Sequence, residues 1–197
     1  MHQPARRARP ARAVLAAALG AVLVLGLAAC SSRTDGRTTP PPWPAPSDAA
    51  ARVRAAGLSL LAEEGSALHT HQHLSITVDG RPVLVPADIG VDLAERGISA
   101  VHTHDTSGIV HVESPRVRTF RLGQVFTEWD VRLGEGAVGP YVDGRDDATV
   151  AVFVGGKRTT GDPRRIALTE HQDIALVVTH GGAEPAAPRA FVWPEGY

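Results

Sequence analysis

The chain has 197 residues, 43% of them hydrophobic, with a formal net charge of −1 and a single cysteine. That length and apolar content suit one domain with a real core. One cysteine excludes a disulfide scaffold, and the absence of a basic excess argues against nucleic acid as a partner.

The first segment sets the compartment. Arg6, Arg7, Arg9 and Arg12 form a positive stretch with no acid, followed by an uncharged run rich in Leu, Val and Ala over residues 13–29. This is the plan of a secretory signal, and it is excluded from the fold. The run has 17 residues, at the short limit for a membrane span. Leu27-Ala28-Ala29-Cys30 then resembles the lipobox of bacterial lipoproteins. The resemblance implies a signal peptide over residues 1–29, cleavage before Cys30, and lipidation of the Cys30 sulfur. Two or more acyl chains (diacylglyceryl and palmitate) hold a protein stably on a bilayer. The expected location is therefore the cell membrane, lipid-anchored, on its extracytoplasmic face. The mature chain would carry 16 basic against 21 acidic residues, which again excludes nucleic acid and anionic lipid as partners.

Residues 30–46 are Pro-rich, with Pro40-Pro41-Pro42 and Pro44, and read as a semi-rigid tether in which Trp43 is free either to dock or to stand idle. Residues 47–65 read as one amphipathic helix, starting at Ser47-Asp48 and stopping at Gly65. From residue 66 the period changes from helical to alternating. Asp79-Gly80 marks a hairpin, with Val83-Leu84-Val85 as its return strand. Residues 89–97 read as loop or helical turn. Residues 98–104 and 109–113 read as two strands joined by the turn Asp105-Thr106-Ser107-Gly108. Residues 117–122 alternate, and Leu122, Val125, Phe126 and Trp129 have the spacing of a short buried helix. Residues 134–147 are Gly- and acid-rich loop. Strands follow at 149–154, 157–160 across Gly155-Gly156, 165–168 and 174–179, before a Pro/Ala-rich tail over 181–197. The fold class is mainly β (α+β). It is a single small domain over residues 66–180, with about eight mostly antiparallel strands and two short helices.

Six of the nine histidines lie between residues 68 and 113. On a strand, His69, His71 and His73 share one face, while Leu74, Ile76 and Val78 take the other. A four-residue turn from Asp105 sets His102 opposite His111 and Ala100 opposite Glu113, so His102, His104, His111 and Glu113 also share a face. A one-residue slip would scatter them. Imidazoles with a carboxylate are a ligand set for a divalent transition metal, with zinc or copper favoured over iron. The candidate metal ligands are His69, His71, His73, His102, His104, His111 and Glu113. With Met1 in the leader and Cys30 lipidated, the mature chain lacks the soft donors of a Cu(I) carrier. Asp105 reads as an Asx-turn residue, Glu128 as helix surface, and Asp143, Asp146 and Asp147 as solvated. No GxSxG, HExxH or phosphate-loop motif is present.

The segments His71-Gln72-His73-Leu74, Val85-Pro86-Ala87-Asp88-Ile89-Gly90, His102-Thr103-His104-Asp105-Thr106-Ser107-Gly108, His111-Val112-Glu113-Ser114-Pro115 and Leu122-Gly123-Gln124-Val125-Phe126 resemble a family of uncharacterised secreted or membrane-anchored prokaryotic proteins. The resemblance spans about residues 66–180 and implies an architecture and a histidine-rich region, but no reaction. The spacing of Glu113 after His102-x-His104 is too long for a cupin. The first functional reading is a lipoprotein that binds a transition metal. The alternatives are a metal-dependent enzyme, for hydrolysis or oxygen chemistry, and an envelope- or protein-binding module without metal.

Overall fold

A computed structural model describes residues 36–197; the leader and Cys30 lie outside the described residues. No helix among those described is long and apolar enough to cross a membrane.

The expected helix over 47–65 is cut to seven residues, α1 (Ala49–Ala55). Its stop is Gly57, at φ +71. Leu58 N–H reaches back to the Val53 carbonyl and Gly57 N–H to Arg54, the paired bonds of a helix end whose left-handed residue glycine accommodates without strain. Residues 58–65 then run as an extended arm, with Leu61 paired to Ile98. The tether also departs from expectation. From residue 36 it is seated on the domain. Trp43 is buried, its ring edge-on to Trp129, and the Trp129 indole N–H donates to the Trp43 carbonyl at 2.8 Å. An indole buries more apolar area than any other side chain, which favours docking over an extended spacer.

The strands are β1 (Leu68–Val78), β2 (Arg81–Val83), β3 (Val91–Asp92), β4 (Gly97–Ile98), β5 (Val101–His102), β6 (Ile109–Ser114), β7 (Leu133–Gly134), β8 (Ala137–Val138), β9 (Tyr141–Val142), β10 (Thr149–Val154), β11 (Lys157–Thr159) and β12 (Gln172–Thr179). The second helix, α2 (Leu122–Trp129), covers the residues its spacing predicts. Seven strands form the main sheet in the order β11-β10-β12-β1-β6-β5, with β2 pairing the far half of β1. Every pair in it is antiparallel except β1 with β12.

Local chemistry explains most elements. Asp79 and Gly80 both take positive φ, as do Gly155 and Gly156, which is what two-residue hairpin turns require. The first turn pairs Val78 with Arg81, so the return strand begins at once and Leu84 is exposed rather than paired. The strand expected at 165–168 is reduced to one bridge, Ala167 with Arg121, and residues 163–165 before it form a 3₁₀ turn, because Pro163 opens it and the Asp162 carboxylate accepts from Arg164 N–H. The stretches expected as loops at 89–97 and 134–147 contain two-residue pairings, β3–β4 and β7–β8–β9.

One face of the sheet holds the main core. Leu74 and Ile76 from β1, Val110 and Val112 from β6, and Ile174, Leu176 and Val178 from β12 meet Val53, Val125, Phe126 and Trp129 from the helices. The opposite face has a small apolar cluster of Ala151, Phe153, Ala175 and Val177. Beside that cluster, on the same face of β1 and β6, stand the histidines.

Candidate metal centre

Three adjacent strands build the site. The β1–β6 register sets His69 against Glu113 and His71 against His111, and the β5–β6 register sets His102 against His111. His71, His111 and His102 therefore form one row across the sheet; the His102–His111 pairing is the expected one, but β5 stops at His102, so His104 stands in the link to β6 and does not face Ile109 as expected. The alternation that buries Leu74, Ile76, Val110 and Val112 sends these polar side chains to the other face.

The rings converge. His69 Nε2 is 3.1 Å from His71 Nε2, and His102 Nε2 is 3.1 Å from His104 Nε2. Glu113 Oε1 lies 3.2 Å from His69 Nε2 and 3.1 Å from His111 Nδ1. The donors fall into two groups, His69–His71–His111–Glu113 and His102–His104–His111–Glu113, and within each all ligand atoms lie within 4.8 Å of one another. A tetrahedral ion with bonds near 2.1 Å separates its donors by roughly 3.4 Å, so small ring movements would satisfy either group. These are clusters of histidine and glutamate that could hold a metal ion.

The pairs are supported differently. His102 is fully buried, and its Nδ1–H donates to the Ser99 carbonyl at 2.9 Å. This fixes the tautomer and leaves the Nε2 lone pair facing His104, as outer partners of metal-bound imidazoles do. Ser99 Oγ in turn donates to Glu128 Oε1 at 2.6 Å. Glu128 is not on the helix surface as the sequence suggested; it is 1% exposed, on the side of α2 that faces the strands. Burial pushes its carboxyl up to about 8 against the Ser99 hydrogen bond, so it is largely protonated at neutral pH. His69, by contrast, stands on regular strand with its side chain 55% exposed.

Burial also keeps the central imidazoles neutral. Desolvation, with repulsion from His104, lowers His102 to about 4. Desolvation and the surrounding histidines lower His111 to about 3, and desolvation lowers His71. The His111–Glu113 contact is thus a hydrogen bond to a neutral ring. Glu113 is pushed up to about 7 by its own burial and then by the Glu64 carboxylate. Neutral imidazoles and a carboxyl that yields its proton near neutrality are the protonation states that ligation needs.

His73 shares the face but belongs to neither group. Its Nδ1 is 2.8 Å from Asp173 Oδ1, and its ring stacks on Phe191 with centroids 3.7 Å apart. Three further groups reach the site without any expectation from the sequence: Glu64, Glu170 and the tail. Glu64 Oε1 lies 3.3 Å from His104 Nε2 and 3.9 Å from His102 Nε2. A close backbone approach carries it there: a Cβ on Gly65 would stand 2.1 Å from Pro115 N, just past the end of β6. The Glu170 carboxylate accepts from His71 N–H at 2.9 Å. Tyr197 brings its ring within 4.9 Å of His71 and 5.9 Å of His111. The Gly65 next to Glu64 was the one available sequence signal, and it reads equally well as a helix stop. Asp105 is the turn residue expected, accepting from Ser107 N–H at 2.8 Å. Gly108 lets that turn fold onto β1, where a Cβ would meet the Leu74 carbonyl at 2.5 Å.

No family model matches the chain, and neither a curated protein nor a solved structure does.

Proposed function

We propose that the chain is a membrane-anchored extracytoplasmic lipoprotein whose β-rich domain binds a divalent transition metal, zinc or copper, through His69, His71, His102, His104, His111 and Glu113. The observation that carries the metal reading is the pair of four-residue donor groups on one sheet face, with the buried imidazoles of His102 and His111 at its centre. Imidazole with a carboxylate is a borderline donor set, suited to Zn²⁺ and Cu²⁺. The lipid anchor rests on the order of positive stretch, apolar run and Leu27-Ala28-Ala29-Cys30. The role that fits is metal handling or a metal-stabilised surface module. The donors lie on a strand face and not in the cavity of about 250 Å³ lined by Leu58, Ala100, Arg116, Arg118 and Phe120.

The test uses the full chain, extracted in detergent from a culture supplemented with Zn²⁺ and Cu²⁺. Elemental analysis should find at least one equivalent of metal, removed by a chelator and lost when His69, His71, His102 and His104 are all replaced by alanine. A metal-free protein whose Tm ignores both ions would sink the metal reading. Mass spectrometry of the N-terminal peptide should find diacylglyceryl on Cys30, and Cys30→Ser should release the protein from membranes. An unmodified Cys30 would overturn the anchor alone.

A further inference from the structure

We infer that the site is dinuclear: two metal ions lie side by side, each held by one His-x-His pair and both sharing the Glu113 carboxylate of the strand between them. The inference rests on the proposed metal binding and fixes its stoichiometry and geometry.

The sheet order is the first support. The His69–His71 pair belongs to β1, the His102–His104 pair to β5 and its continuation, and β6 separates them. Strands two apart in a sheet are roughly 9.5 Å apart at the backbone. Each pair leans inward to the same central residues, His111 and Glu113, but among the described residues no donor group contains both pairs. Donors bonded to one ion at about 2.0–2.2 Å cannot stand more than about 4.4 Å apart. One ion therefore cannot take all four outer imidazoles as they stand, whereas two ions can.

The second support is the chemistry of the shared residue. Glu113 is the one carboxylate common to both groups. A carboxylate has two oxygens and bridges two ions at the separation of about 3.5–4 Å typical of two-metal sites. His111, at the row's centre, has ring centroids 4.8 Å from His71, 4.5 Å from His104 and 5.3 Å from His102, so it serves either ion. Glu64, beside His102 and His104, adds a second carboxylate on the β5 side and offsets part of the added charge. The donor sets are thus His69, His71 and Glu113 for one ion, and His102, His104, Glu113 and Glu64 for the other, with His111 completing one of them.

The experiment titrates the full chain, stripped with chelator, with Zn²⁺ against a chromophoric competitor, and then records electron paramagnetic resonance on the Cu²⁺-loaded protein. The wild type should saturate at two equivalents and give the broadened spectrum of a coupled copper pair. His69→Ala/His71→Ala and His102→Ala/His104→Ala should each keep one equivalent and show an isolated copper spectrum, with far-UV circular dichroism confirming the fold. Saturation of the wild type at one equivalent, or two copper ions with no coupling, would overturn the dinuclear inference while leaving metal binding intact. No binding at all would overturn both. The wild-type titration and spectrum decide the matter even if a double variant fails to fold.

Discussion

The two His-x-His pairs have the same spacing and opposite settings. His69 and His71 stand on an uninterrupted strand, with His69 half exposed and the His71 N–H held by Glu170 from across the sheet. His102 and His104 stand where β5 ends. His102 is fully buried and tied to Ser99, and Ser99 is tied to the buried carboxyl of Glu128. Identical motifs thus differ in how much of the ligand geometry is set before any ion arrives. The β5 pair is anchored through Ser99 to Glu128 on α2, and the β1 pair rests mostly on strand pairing. Preorganisation lowers the ordering cost of binding, so the β5 pair should be the tighter half of the site.

The largest effect should come from the strand both pairs lean on. Loss of an outer-shell partner typically lowers metal affinity about 10–100-fold. His111→Ala removes a donor common to both groups, and should cost more than about 100-fold in Zn²⁺ affinity by competitive titration. A variant that binds zinc as tightly as wild type would show that the pairs work without their shared centre.

Next in size is a pH effect on the metal-free protein. The folded pKa of His102, about 4, lies below the ordinary 6.5. Its contribution to stability is therefore full above pH 6.5 and is lost as the pH falls toward 4, because the unfolded chain takes the proton first. Over that window the wild type should lose on the order of 3 kcal/mol relative to His102→Gln, measured by urea denaturation. Glu113 works in the opposite sense. Raised to about 7, it contributes stability that is present below about 4.5 and lost as the pH rises through 7. Bound metal must displace the Glu113 proton, so zinc affinity should weaken as the pH drops below 7.

Ser99→Ala keeps the carbonyl that orients His102 but strands the Glu128 carboxyl, whose Oε2 already has no partner. It should cost about 1–3 kcal/mol of stability, the penalty for an unsatisfied buried polar group. Glu128→Gln should cost less, because the carboxyl it replaces is largely protonated at pH 7. The smallest effect should be His69→Ala in the metal-free protein, within about 0.5 kcal/mol for an exposed site. Equal stability losses for His69→Ala and His102→Ala would erase the contrast between the pairs.

How far the residues alone reach is clear from particular places. Alternation gave β1 its two faces, Asp79-Gly80 and Gly155-Gly156 gave two hairpins, and the spacing of Leu122, Val125, Phe126 and Trp129 gave α2 its span. The expected pairing of His102 with His111 is found, although the strand expected over 98–104 breaks into β4 and β5 and the link to β6 runs over residues 103–108. These are local signals, set by backbone conformation within a few residues. Contacts made by segments distant in the chain were not legible. The parallel pairing of β1 with β12 joins residues about a hundred apart, and no short-range pattern encodes it. Glu64 reaches the site only because α1 ends at Gly57 and residues 58–65 run out to Pro115. Glu128 looked like a surface acid because a short helix pattern does not show which side faces a buried serine. Trp43 and Phe191 are placed by ring packing on partners far along the chain.

Everything proposed for the site depends on metal binding where β1, β6 and β5 lie side by side. Anomalous diffraction at the zinc edge, from crystals of the zinc-loaded protein, tests it most directly. Strong peaks are expected within bonding distance of His111 or Glu113, flanked by His69 and His71 on one side and His102 and His104 on the other. Zinc found only elsewhere, for instance at Asp143 and Asp146, with the histidine face empty at full loading, would contradict it.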